Sequence, residues 1–266
     1  MAMSSPPPLP HNSNFHQQPS DANIALFEAC AIAKDVSHVD KLLASGASPN
    51  WYNYQEGGQT ALHAAARVPS SSPSSAHATV IVQRLLAHGA VTNVLTLPDF
   101  NLPLHFAASA GNLATVKLLV EHDQKHTTPK TLSAAVASPF ASLIKAPTIA
   151  TCGVRQSNIF GNTPLHEACI SGHEELITLL LANGADLRHM DQDGVGILHI
   201  AAMQGHREIV DHLLKEKMLG KAGWTKDANG HSPMFYAKMK GFDEIEKMLS
   251  EAERDEVKGE RENVGA

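Results

Sequence analysis

Thr163-Pro164-Leu165-His166-Glu167-Ala168 runs on through Gly172-His173 and Leu179-Leu180-Leu181 to Gly184-Ala185-Asp186. The same skeleton returns as Leu198-His199-Ile200-Ala201-Ala202, Gly205-His206, Ile209-Val210 and Leu213-Leu214, so that His166 and His199 stand 33 positions apart (199 − 166). Thr60-Ala61-Leu62-His63-Ala64-Ala65-Ala66 and Leu102-Pro103-Leu104-His105-Phe106-Ala107-Ala108 are two further copies. Ser232-Pro233-Met234-Phe235-Tyr236-Ala237 is a weaker last copy. Leu26-Phe27-Glu28-Ala29-Cys30, followed by Leu42-Leu43 and Gly46-Ala47, is a weaker first one. A period of this size marks a repeat architecture, in which units too small to bury their own apolar faces stack and share a continuous core.

Each copy spells a helical hairpin. Thr163 suits an N-cap, because its hydroxyl can accept from an orphan amide of the first turn. Pro164 takes the first helical position, where a missing N–H does no harm. His166 falls three residues after the cap, where a side chain can reach back as Glu or Gln does in a capping box. Ala168 and Cys169 are small enough to let neighbouring helices approach. Gly172 can end the helix in the left-handed region. Leu176, Ile177, Leu179 and Leu180 give the apolar face of a second helix, which Gly184 closes. The stretch from Asp186 to Val195 then reads as a β-hairpin-like finger leading to the next copy.

These residues resemble the ankyrin repeat over roughly residues 23 to 250, apart from two insertions. The fold implied is an all-α repeat solenoid of about six helix-turn-helix repeats with β-hairpin-like fingers. Departures from the pattern mark where it weakens. Gly196-Ile197 replaces Thr-Pro, and Leu102 replaces the capping Thr. Asp123 and Lys217 stand where a closing Gly belongs. Leu104 and Leu165 are 61 positions apart (165 − 104), 28 more than one repeat. The excess, near 124–157, reads as a long finger insertion or as one degenerate repeat, with Thr128-Pro129 capping a short helix through Ala137. A Ser-rich insertion, 69–79, is expected as a flexible loop between the two helices of its repeat. Residues 1–22 read as a disordered Pro/Ser/His-rich head and 251–266 as a charged tail.

Composition narrows the function. The formal net charge is −6, from 21 Lys+Arg against 27 Asp+Glu, which argues against a general nucleic-acid binder. Cys30, Cys152 and Cys169 are too few and scattered for a disulfide scaffold and fit a reducing compartment. The first twenty residues lack a cationic start and apolar run, so no secretory signal is expected. No apolar stretch approaches 18 residues, so no membrane span is expected either. The expected setting is cytoplasmic or nuclear, and the expected state is a monomer.

The family resemblance implies that partners are held by the fingers and by the exposed face of the first helices. It maps onto Met190, Gln192, Asp193 and Val195 in one finger, and onto Ser157, Ile159, Phe160 and Asn162 in another. On the helix face it maps onto Ile170, Ser171, Met203 and Gln204. Exposed apolar groups there would suggest an interface; Ile159 and Phe160 packing against the long insertion is the alternative. Trp51-Tyr52-Asn53-Tyr54 sets three aromatics in four residues of a chain only 5% aromatic. Trp51, Tyr52 and Tyr54 are therefore either binding anchors on a fingertip or, for Trp51, the cap of the first repeat's core.

Chemistry is poorly represented. Of sixteen histidines, His63, His105, His166 and His199 belong to the repeat motif, and His173 and His206 to its Gly-His step. His122 and His126 have the spacing of a helical metal pair, without a Cys or carboxylate cluster to complete it. Cys169 stands at a packing position. No phosphate-binding Gly loop, nucleophile elbow or paired acid set is present. Ser4-Ser5-Pro6-Pro7-Pro8-Leu9-Pro10 can adopt polyproline II and is read as part of the head. The leading reading is an adaptor or regulator that binds another protein, with no enzyme activity, cofactor or metal. Two alternatives are an enzyme whose site is built from the insertion at 124–157 and its adjoining groove, with His122, His126 and Arg155 converging, and an assembly chaperone for a basic client.

Overall fold

The computed structural model describes residues 20–126, 153–215 and 223–264. Within them every regular element is helical, and the helices come in pairs. The pairs are α1 (Asp21–Ile32) with α2 (Val36–Ala44), α3 (Ala61–Ala66) with α4 (Ser75–Ala87), α5 (Pro103–Ser109) with α6 (Leu113–His126), α7 (Pro164–Ile170) with α8 (Glu174–Ala182), α9 (Ile197–Gln204) with α10 (Arg207–Lys215), and α11 (Pro233–Lys240) with α12 (Asp243–Val264). The described residues divide into two compact units. The first comprises 20–107, 114–126 and Gly153; the second comprises 108–113, 154–215 and 223–264.

The motif histidines start the first helices as the capping argument requires. The Thr60 amide donates to His63 Nδ1 at 3.1 Å, and the Thr163 amide donates to His166 Nδ1 at 3.3 Å. At these two helix starts the Thr hydroxyl also lies within hydrogen-bond distance of the same ring nitrogen, 2.9 Å for Thr60 and 2.8 Å for Thr163. Where the Thr is replaced, the imidazole half survives. The Leu102 amide donates to His105 Nδ1 at 3.1 Å, and the Gly196 amide to His199 Nδ1 at 3.3 Å. An Nδ1 that accepts an N–H places the ring proton on Nε2. His63 Nε2 accordingly donates to the carbonyls of Val94, at 3.1 Å, and Asn101, at 3.3 Å. Both carbonyls belong to the next finger, so one buried ring fastens a helix start to the following repeat.

The fingers are built on a second repeated device. Asn158 Oδ1 accepts from the amides of Phe160 and Asn162, both at 3.0 Å. Asp191 Oδ1 accepts from Asp193, at 2.9 Å, and Val195, at 2.8 Å. Asp227 Oδ1 accepts from Asn229 and His231, both at 2.9 Å. A short polar side chain thereby holds each turn open at its tip. In the first unit Asn53 Oδ1 accepts from Gln55 at 3.1 Å, and Thr96 Oγ1 from Asn101 at 3.0 Å. Successive fingers are also laced by their main chains. Leu97 N donates to Gly57 O, Gln192 N to Phe160 O at 3.1 Å, and Ala228 N to Asp193 O at 2.8 Å.

Small residues set the spacing of the first helices. Ala65, Ala66, Ala107, Ala108, Ala168, Cys169, Ala201 and Ala202 are all buried. Gly172 ends α7 at φ +77°, and a Cβ there would lie 2.7 Å from the His206 ring. Gly205 repeats the arrangement at φ +79° against Phe242. The glycine is thus needed twice over, for its backbone and for the ring that rests on it. In the second unit α7 packs on α8 and α9, α9 on α10 and α11, and α12 on α10 and α11. Leu176, Ile177, Leu180, Ile209, Val210, Leu213, Ile245 and Leu249 fill the space between.

Several boundaries differ from the sequence expectations. Helix α1 begins inside the span 1–22, with Ser20 capping it by accepting from the Asn23 amide at 3.2 Å. Of the Ser-rich insertion at 69–79, residues 75–79 already form the start of α4. What precedes them is a run of turns, with the Ser72 amide donating to Pro69 O and Ser75 to Ser72 O, both at 3.0 Å. Asp123 does not close a helix; α6 continues to His126. The Asp123 carboxylate is instead tied down by the Thr92 hydroxyl and by the Gly153 amide at 3.3 Å, and burial pushes its pKa up. The charged tail continues α12 to Val264. The expected helix from Thr128 to Ala137 and the departure at Lys217 lie outside the described residues.

Leu180 is fully buried in α8. Leu180→Ala is expected to cost about 2–5 kcal/mol, measured by denaturant unfolding of the full chain. A near-neutral result would show that α8 does not occupy the core register described.

Candidate docking surface

Two surfaces of each unit are left by this construction: the fingertips, and the face of each first helix that points away from its partner. In the first unit the aromatic finger splits. Tyr52 is 1% exposed, and its hydroxyl donates to Leu95 O at 2.9 Å. It packs with Val94, Val91 and Leu97, and the ring lies against Gly58, where a Cβ would be 2.2 Å away. Burial raises the pKa of its phenol, as expected of a hydroxyl spent on an internal bond. Trp51 is buried as well. The placement corrects the expectation of three aromatic anchors on a tip: Trp51 and Tyr52 are core. Tyr54 alone is exposed, edge-on to Tyr52 with ring centres 4.9 Å apart.

In the second unit the expected fingertip residues are at the surface. Ile159 and Phe160 are exposed, Phe160 by 57%. Gln192 and Asp193 are exposed beside them, and the Gln192 side-chain amide donates to Ile159 O. Met190 is half-buried at the base of its finger, with its Sδ 4.0 Å from Thr225 Oγ1. On the helices, Ile170 and Met203 are half-buried and Gln204 is exposed.

The register of the copies extends this face. Ile170, Met203 and Met239 hold equivalent positions in α7, α9 and α11, and Met239 is 58% exposed. Glu167, Ile200 and Tyr236 hold the equivalent positions one turn nearer the fingers. Glu167 is half-buried, which pushes its carboxyl pKa up, while a hydrogen bond from Asn162 opposes the shift. Tyr236 donates to Asp227 Oδ2, and this bond pushes its phenol up to about 12, with burial and the charges of Asp227, Asp191 and Asp193 adding to the effect. Met239 and Tyr236 were missed because the last copy departs from the motif. Phe235 stands there in place of the capping histidine and stacks on His231 at 4.0 Å, 41% exposed. Carrying the spacing of the regular copies through the departure would have found both.

The remaining candidates are placed as follows. His122 and His126 lie on α6 with ring centres 4.3 Å apart. Burial, then the neighbouring His126 and Lys125, lowers the pKa of His122. Among the described residues no three His, Cys, Asp or Glu side chains come together as a metal site. Arg155 donates to Gly184 O. Cys30 and Cys169 are buried; burial pushes the Cys30 thiol up to about 12 and raises that of Cys169. Among the described residues no helix is long and apolar enough to cross a membrane.

A family model described as ankyrin repeats, in three copies, matches residues 26–130, 132–222 and 165–258. This chain belongs to the ankyrin-repeat family. Its repeats are of the kind that mediate binding to other proteins. Among curated proteins it is similar to the Notch-regulated ankyrin repeat-containing protein of Homo sapiens, 43% identical over 63 residues, 24% of this chain and 55% of that protein. The Xenopus tropicalis protein of the same name is 48% identical over 54 residues, 20% of this chain and 47% of its own length. The nuclear factor NF-kappa-B p105 subunit of Rattus norvegicus is 42% identical over 62 residues, 23% of this chain and 6% of that protein. The matches thus span about half the length of the first of these relatives and a small part of the last.

The split of the aromatic finger is directly measurable. Tyr52→Ala should cost about 3–5 kcal/mol of stability, as an aromatic removed from a core does. Tyr54→Ala should stay within about 0.5 kcal/mol. Equal effects in chemical denaturation would contradict the placement of the two rings.

Proposed function

We propose that this ankyrin stack is an adaptor or regulator that docks another protein on the fingers and inner helix faces of its second unit. The observation that carries the reading is a set of large apolar side chains on that surface, with the exposed Met239 in register with the half-buried Ile170 and Met203, and the exposed Ile159 and Phe160 on one fingertip. Phe160 stands out from one fingertip beside Ile159, and Met239 from the last first-helix, with Ile170 and Met203 between them in the repeat order. An isolated exposed apolar residue needs no explanation, but a row repeated from copy to copy marks a surface that is covered by something. Gln192, Asp193 and Gln204 supply the polar rim that such interfaces have. Tyr54 on the first unit is a further single anchor of the same reading.

The names of the relatives agree with a regulatory setting. One is named as regulated by Notch and another as a subunit of a nuclear factor. A cytoplasmic or nuclear place of action fits both, and the docking role needs neither a cofactor nor a catalytic group.

The test is affinity capture with mass spectrometry, using the full chain expressed in its own cells. The Phe160→Ala, Met239→Asp double variant should lose its partner by about ten-fold or more, since buried interface anchors cost upwards of about 1.4 kcal/mol each. Its melting temperature should hold, because both side chains are exposed. Retention of the same partner at the same yield would remove this surface from the account.

A further inference from the structure

The inner strip of the second unit has a spacing, and the spacing selects what can lie on it. Ile170, Met203 and Met239 repeat once per stacked helix, and packed helices stand about 8–10 Å apart. An α-helix rises about 1.5 Å per residue, so side chains seven positions apart recur on one face every ~10.5 Å. A β-strand does not match. Its same-face side chains recur about every 6.6 Å and 13.2 Å, at two and four residues. A helix laid along the strip can therefore place one large apolar side chain at each of the three positions, over about four turns.

The charges beside the strip are as directional as the spacing. On the finger side stand Glu167, half-buried in the row with Ile200 and Tyr236, Asp191, half-buried with its Oδ1 accepting from the Asp193 and Val195 amides, and Asp193. Asp193 is exposed at its fingertip. The cations of the same fingers, Arg188 and Lys226, precede the turns at 191–194 and 227–230 rather than standing on the tips. Lys238 and Lys240, both exposed, stand on either side of Met239 at the end of α11 that is remote from the fingers. A bound helix thus meets carboxylates along one flank and apolar groups along its centre. Docking it buries the exposed Met239 thioether, whose flexibility suits it to an adaptable apolar contact.

We propose that the strip Ile170–Met203–Met239 takes an amphipathic α-helix of the partner protein, carrying large apolar residues every seven positions and Lys or Arg along the flank that faces Glu167, Asp191 and Asp193. This rests on the docking reading above and specifies its occupant. The recognition mode is a helix lying in a shallow apolar groove, with the carboxylates fixing which way round it lies.

The experiment uses the full chain and a small panel of synthetic peptides of about 18 residues, long enough to form a helix on binding. One set has Leu, Met or Phe at heptad spacing with Lys on one flank. The control set has the same composition with the apolar residues at alternating spacing. Binding is followed by calorimetry and helicity by circular dichroism. A heptad peptide is expected to bind one per chain, to gain helicity, and to bind at least about ten-fold tighter than its alternating control, about 1.4 kcal/mol. Met239→Asp should weaken it about ten-fold, and Asp193→Lys should weaken the Lys-flanked peptide while strengthening a Glu-flanked one. No saturable binding by any heptad peptide, equal binding by the alternating control, or indifference to Met239→Asp overturns the proposal. The two readings fail separately. If every heptad peptide fails while natural capture still depends on Met239, the surface stands and the helical occupant falls. If natural capture ignores Met239, the surface itself falls.

Discussion

The structure depends on one buried imidazole used repeatedly. In each regular copy the motif histidine accepts the N-cap amide on Nδ1, and at His63 the opposite nitrogen reaches two carbonyls of the next finger. A buried helix start and a buried finger carbonyl are both costly if unpaired. At His63 the ring satisfies both ends at once, so there helix start and finger position become a single constraint.

The second constraint follows at the other end of the helix. Gly172 and Gly205 let the ring of the following copy, His206 or Phe242, rest against the backbone. Small residues along the helix then bring neighbours close, and the second helices supply the bulk of the apolar volume. The outward face of the first helices in the second unit carries Ile170 and Met203 half-buried and Met239 exposed. This row, with Met at two of its three equivalent positions, is the one proposed above for recognition.

Sequence pattern alone was enough for the repeat, the six helix pairs, the histidine caps and the glycine stops, because each is a local device with a fixed spacing. It was insufficient where a residue's fate depends on a neighbour far along the chain. Trp51 and Tyr52 read as fingertip aromatics until the Leu95 carbonyl, 43 positions away, claims the Tyr52 hydroxyl. Asp123 read as a failed helix stop, whereas Thr92 and the Gly153 amide explain the carboxylate. The proposed docking face was legible in part. Ile170 and Met203 follow from the motif, but Met239 and Tyr236 sit in a copy whose histidine has become Phe235, and the register had to be counted rather than matched.

The most direct measurement is the protonation and tautomer of His63, read by nitrogen-detected NMR of the ring through an acid titration of the full chain. Burial lowers its pKa from 6.5 to about 3, against the smaller opposing effect of its hydrogen bonds to the Asn101 and Val94 carbonyls. The unfolded chain takes up the proton near 6.5 and the folded chain does not, so the contribution of this ring to stability is complete above that pH and is lost as the pH falls from 6.5 toward 3. The account predicts a neutral ring with its proton on Nε2 that persists at pH 5 while the chain stays folded. A ring that titrates near 6.5 in the folded chain, or that carries its proton on Nδ1, would contradict it.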